Sequence, residues 1–182
     1  MMKDRPNDLL LLAGQVLAVI MQIFVAIGAA AVVIALPVLL FARDAINAEI
    51  AAEIGETATG LPMMPVIGLL FVALALLAML FVFLGKLRAI IATVGEGDPF
   101  VPDNARRLNL MAWLLLAIQL LAVPAAGLGL LLAKWADQFE HQDITIDAGI
   151  DFTGILMVVL LFILARVFKH GAAMREDLEG TV

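Results

Sequence analysis

Leu61–Gly85 reads LPMMPVIGLLFVALALLAMLFVFLG, 25 residues without one charged side chain. A helix needs about 20 such residues to cross a hydrocarbon core of about 30 Å. In that solvent every backbone N–H and C=O must find a protein partner, so a helix is the expected form. The alternation that barrel strands require is absent. The same reading extends outward on both sides. Leu9–Phe41 and Leu108–Ala133 carry no charge, and Phe152–Phe168 is a shorter run with Arg166 near its end. The sequence therefore predicts an all-α integral membrane four-helix bundle. It is one four-span domain over residues 1–182, with spans near 9–41, 61–85, 108–133 and 152–168.

Composition agrees. The chain is 64% hydrophobic and 15% charged, against about 45–50% and about 25% in soluble domains. With no cysteine, a disulfide framework and a thiolate metal site are both excluded. A net charge of −6 argues against direct nucleic-acid binding. The first run is 33 residues, far beyond the 7–15-residue apolar core of a signal peptide, so an uncleaved first span is expected. As a helix it measures roughly 50 Å. Tilt, a bend at Pro37 or an extension beyond the lipid would absorb the excess.

Lys and Arg set the direction of the spans. With four crossings, both termini and the central loop share one side, which holds nine of the eleven basic residues; Arg43 and Lys134 fall on the other. That places both termini in the cytoplasm, in a multi-pass protein of a bacterial inner membrane. The two outer loops are acidic, with four Asp and Glu from Asp44 to Glu56 and five from Asp137 to Asp151.

The cytoplasmic loop is the least uniform part of the chain: Gly95–Leu108 reads GEGDPFVPDNARRL. Before it, Leu87, Ile90, Ile91 and Val94 fall on one helical stripe. Span two is thus expected to continue into the cytoplasm and stop at Gly95, acting as the C′ residue. Pro99 and Pro102 forbid a continuous helix. Asp103 or Asn104 is placed to cap the next one, with Arg106 and Arg107 facing water. Phe100, between the prolines, either plugs the bundle base or docks a cytoplasmic partner. GEG is not a phosphate loop, because no Lys-Ser/Thr follows it.

Elsewhere the chemical signals are thin. Glu140, His141 and Asp143 could meet a cation, but one His among carboxylates reads first as a solvated surface. Ile144–Phe152 alternates enough for a small hairpin. Ile46, Ile50 and Ile54 make the first outer loop look like a helical extension of span one. Inside the spans, Gln15, Gln22 and Gln119 suit interhelical hydrogen bonds, and Pro124 is expected to bend span three. With Asp, Glu, Lys and His all placed outside mid-membrane, a proton-coupled transporter is disfavoured. No catalytic pair can be assembled, so neither enzyme activity nor a cofactor is expected. The C-terminus lacks the Ser or Thr that a PDZ ligand wants, having Gly180 there instead.

Two stretches, LRAIIATVGEGDPFVPDNARRL and LARVFKHGAAMREDLEGTV, together with the four-span layout, resemble the YoaS-like bacterial membrane proteins of domain of unknown function 2975. Gly97, Pro99, Phe100, Asn104, Arg107 and Leu108 match the first part of the family pattern, with Asp98 standing between Gly97 and Pro99. Phe168, Gly171, Glu176, Gly180, Thr181 and Val182 match the second. The resemblance covers nearly the whole chain. It implies a small helix-turn-helix regulator of the Cro/C1 type, encoded alongside, as partner. The protein would then hold or release a transcription factor in response to a signal. The expected contact residues are Gly97, Pro99, Phe100, Asn104, Arg106, Arg107, Phe168, Gly171, Arg175, Glu176, Leu178, Thr181 and Val182. Packing through Phe168, Met174 and Leu178 would join tail to loop, with Arg106 and Arg107 opposite Glu176, Asp177 and Glu179. The alternative is a small channel or carrier for an apolar or weakly polar solute. Self-association is left open.

Overall fold

The computed structural model describes residues 8–55, 59–137 and 151–179, apart from the side chains of Asp8, Ile54, Leu178 and Glu179. It contains four α-helices: α1 (Asp8–Ile54), α2 (Met63–Gly95), α3 (Pro102–Ala136) and α4 (Phe152–Glu179). Each is long and apolar enough to cross a membrane, consistent with an all-α membrane four-helix bundle.

All four run past the apolar stretches that predicted them. The expected extension of span one is present, since α1 continues through Ile46 and Ile50, and Ile50 is buried. Pro37 and Pro124 both lie inside helices. The surface is inverted relative to a water-soluble fold: Leu9, Phe24, Phe41 and Val123 are each at least 70% exposed. The buried positions include Ala18, Ala105, Ala112, Ala165 and Ala172. Small residues on helix contacts let backbones approach where lipid removes the hydrophobic drive between helices.

The contacts divide into two compact units. One comprises residues 1–26, 78–119 and 151–182. Its core gathers Leu108, Met111 and Ala112 of α3 with Leu161 and Ala165 of α4, and Phe83, Leu87, Ile90 and Phe168 pack around them. The stripe read on α2 is thus a packing face. Ile91 turns instead toward Gly14 of α1, and Gly95 lies by Leu11. The excess length of the first apolar run therefore lies alongside the end of α2. Gln22 donates to the carbonyl of Phe81 at 3.4 Å, while Gln15 is exposed.

The other unit comprises residues 27–77 and 120–150. Asn47 of α1 accepts from the Leu61 N–H at 2.9 Å, and Trp135 of α3 donates to the Thr59 carbonyl at 2.9 Å. Two side chains therefore secure the backbone of the first loop.

α4 starts at Phe152, where the fourth span was expected. Asp151, read above as part of an outer loop, is the N-cap: its carboxylate accepts from the Gly154 N–H at 2.9 Å. Its other oxygen accepts from Gln119 at 2.8 Å. Gln119 is near the middle of α3, so α4 begins beside the midpoint of α3. The carboxylate that composition placed outside mid-span thus abuts the centre of the apolar run 108–133. Glycine at 154 is what admits the Gln119 amide, because a Cβ there overlaps its nitrogen.

Candidate interaction surface

The break between α2 and α3 is built from two local motifs. The Gly97 N–H donates to the Val94 carbonyl and the Asp98 N–H to the Thr93 carbonyl, with Gly97 at φ +84°. This pair of bonds is a Schellman stop. The left-handed residue is therefore Gly97, and Gly95 stays helical. Both glycines could serve, and the longer helix also keeps Thr93 in reach of α3. At the other side Val101 is the N-cap, since its carbonyl accepts from the Asn104 N–H at 2.9 Å. Pro102 occupies the first helical position, where its missing N–H costs nothing. Neither Asp103 nor Asn104 is the cap.

Asn104 instead points inward and has no exposed surface. Its Nδ2 donates to Thr93 Oγ1 at 2.8 Å and to the Pro99 carbonyl at 2.9 Å. Its Oδ1 accepts from Arg107 at 2.8 Å. The amide orientation is fixed by its neighbours, because a carbonyl can only accept and a guanidinium can only donate. Arg107 also donates to the Ala89 carbonyl at 3.1 Å, and the Thr93 hydroxyl to that of Ile90 at 2.8 Å. Arg107 is therefore half-buried against α2 rather than facing water. Arg106 does face water, 3.4 Å from Asp103.

The outer edge of the loop meets α4. The Phe100 ring lies 5.4 Å from that of Phe168, tilted at 42°. A Cβ on Gly171 would fall 2.6 Å from the Phe100 ring, so the glycine makes the seat for the aromatic. Phe100 still exposes 41% of its surface. Arg175 forms an ion pair with Asp98. This ion pair joins the loop to α4; of the tail carboxylates expected opposite Arg106 and Arg107, the Glu179 side chain lies outside the described residues. Met174 is exposed rather than packed. The residue standing between Gly97 and Pro99 in the motif is thus the loop's electrostatic hold on α4, and half-exposed pairs of this kind contribute about 0–1 kcal/mol.

The expected contact residues fall into two sets. Asn104, Arg107, Gly97, Phe168 and Gly171 build the surface from beneath, and Pro99 lends it a carbonyl. Phe100, Arg106, Arg175 and Glu176 present side chains to the outside. The Leu178 side chain, Thr181 and Val182 lie outside the described residues. So do Glu140, His141, Asp143 and the suggested hairpin. Among the described residues no cluster of three His, Cys, Asp or Glu could hold a metal ion. Thr93 and Asp98 were missed as partners in this surface. A Thr one turn before the helix stop, and an acid facing a basic tail on the same side, were the signals available.

A family model described as a protein of unknown function, DUF2975, matches residues 46–182. The chain belongs to the DUF2975 family. The match takes in the whole loop and α4, but begins at Ile46 and so leaves out most of α1. No curated protein and no solved structure matches the chain.

Proposed function

We propose that this DUF2975 protein is a membrane partner of a cytoplasmic Cro/C1-type helix-turn-helix regulator, which it binds or releases in response to a signal. The observation that supports this reading most is the central loop. It is braced from below by Asn104 and laterally by Asp98–Arg175, yet it displays a partly exposed aromatic flanked by charged side chains. A loop needed only as a turn has no use for an exposed aromatic platform. Aromatic and Arg side chains on a rigid base are what interface anchors require.

The reading requires the loop to face the cytoplasm of a bacterial inner membrane, with both termini on the same side, as the nine-to-two division of basic residues suggests. Cysteines introduced at Asp98 and Asp143 are expected to label from opposite faces with an impermeant thiol reagent. Labelling of both from one face overturns the topology.

For the partner itself, co-expression with a Cro/C1-type helix-turn-helix regulator of the kind the family resemblance implies is the test. The regulator is expected to sediment with membranes that contain the intact protein. Phe100→Glu is expected to move most of it to the soluble fraction while the membrane protein stays folded. Deleting residues 178–182 should do the same if the tail belongs to the dock. Equal sedimentation with empty membranes sinks the proposal.

A further inference from the structure

Beside the loop, α3 and α4 diverge to leave a groove of about 880 Å³. Its floor is small and apolar, made by the buried Ala105, Ala165 and Ala172. Toward the middle of α4 it is walled by Phe162 and Ile163; Phe162 is held edge-on by Trp113 at 5.5 Å. Toward the loop its rim carries Arg106, Arg166 and Lys169, all exposed. Asn109 adds a polar edge, and Glu176 is the acid at the far end; Asp103 stands near Arg106. Along α4 the lining changes from aromatic to cationic between Phe162 and Lys169, a rise of about 10 Å.

We infer that this groove binds one anionic glycerophospholipid of the bilayer leaflet next to the loop. The order of the lining carries the inference. An amphiphile at a membrane boundary presents its chains toward the bilayer centre and its phosphate toward water, and the groove offers an apolar wall and a cationic rim in that sequence. Basic pockets between membrane helices take anionic headgroups in this manner. A soluble phosphate would have no use for the Phe162–Ile163 wall. A helix of a second copy would set its own apolar side chains against three cations. The inference does not depend on the regulator, because the groove opens at the exposed faces of α3 and α4 and needs only that the helices span a bilayer.

The test uses the full chain, delipidated in detergent and titrated with phosphatidylglycerol or phosphatidylcholine of matched chains, with bound lipid read by native mass spectrometry. Phosphatidylglycerol is expected to bind about tenfold more tightly or better, given roughly fivefold for each cation near the headgroup. Arg106→Gln, Arg166→Gln and Lys169→Gln together are expected to bring the two lipids within about threefold. Asn109→Trp, which fills the groove and leaves the cations in place, is expected to lose lipid binding as well. Both variants lie on exposed positions, and their melting curves check that they fold. Arg88→Gln, outside the groove, should keep the preference. Three results overturn the inference. One is retention of the preference in either groove variant, which makes the cations topological anchors only. Another is competition by free glycerol phosphate at the same concentration, which makes the site one for a soluble anion. The third is disulfide-linked dimer formation by Ala173→Cys that excludes lipid, which gives the groove to a second copy.

Discussion

Asn104→Ala lowers the stability of the protein by about 2–4 kcal/mol, read as a shift of the reversible unfolding transition in mixed detergent and SDS. The amide makes three side-chain hydrogen bonds at 2.8–2.9 Å from a position with no exposed surface. Truncation leaves the Pro99 carbonyl without that donor and takes one of two acceptors from Arg107. Water cannot replace those partners without opening the loop, so the desolvation cost of each group is felt in full. Thr93→Val is the control. It removes one link but leaves Asn104 joined to Pro99 and Arg107, so it costs about 1 kcal/mol. Asn104→Asp keeps the acceptor for Arg107 but turns a carboxylate toward a carbonyl, and it is expected to fall nearer to alanine than to wild type. If alanine at this position costs less than about 0.5 kcal/mol, the network is not centred on Asn104, and the loop owes its shape to the two prolines.

That network shows where sequence reasoning reached and where it stopped. The spans were legible because a charge-free run of 25 residues admits few other readings. The continuation of α2 was legible from Leu87, Ile90, Ile91 and Val94, whose stripe emerges only where the helix stops being apolar all round. That α1 continues outward was likewise legible from Ile46 and Ile50. Register within the spans was not. A helix apolar on every side gives no facing signal, so nothing in the string indicated that Gln119 and the start of α4 lie at one level. Asp151 reads as an outer residue beside an acidic loop, and nothing in that reading indicates its bond to Gln119. At the loop, the helix was expected to stop at Gly95, whereas the left-handed residue is Gly97. Asp103 and Asn104 both read as possible caps because Asp and Asn are favoured there, and only the geometry of the loop turns Asn104 inward.

Gly154→Ala is expected to lower the stability of the protein, although alanine is the better helix former by about 0.5–1 kcal/mol. The added methyl occupies the site of the Gln119 amide nitrogen, so the amide must leave the Asp151 carboxylate that accepts from it at 2.8 Å. A hydrogen bond to a charged acceptor is stronger than one between neutral groups, so its loss opposes the gain in propensity. Gln119→Leu removes the same bond without touching α4, so it should cost at least as much. The decisive measurement is the double variant. If Gly154 acts by admitting Gln119, the Gln119→Leu change should cost less than about 0.5 kcal/mol once alanine stands at 154, because the bond is already gone. Additive costs would mean that the glycine serves the backbone of α4 for another reason. The same triad bears on the channel-or-carrier alternative, which was disfavoured for want of an ionisable group at mid-span. An ionisable group beside the centre of an apolar run is where proton and ion pathways keep theirs, and Asp151 occupies such a place. Its first carboxylate oxygen caps α4 and its second holds Gln119. A structural role predicts that Asp151→Asn, which can still cap the helix, retains most of the stability. A conducting role predicts that the same variant stays folded and loses any proton flux the wild type shows in liposomes. Wild-type liposomes as tight to protons as empty ones leave Asp151 a helix cap and return the alternative to the position the sequence first gave it.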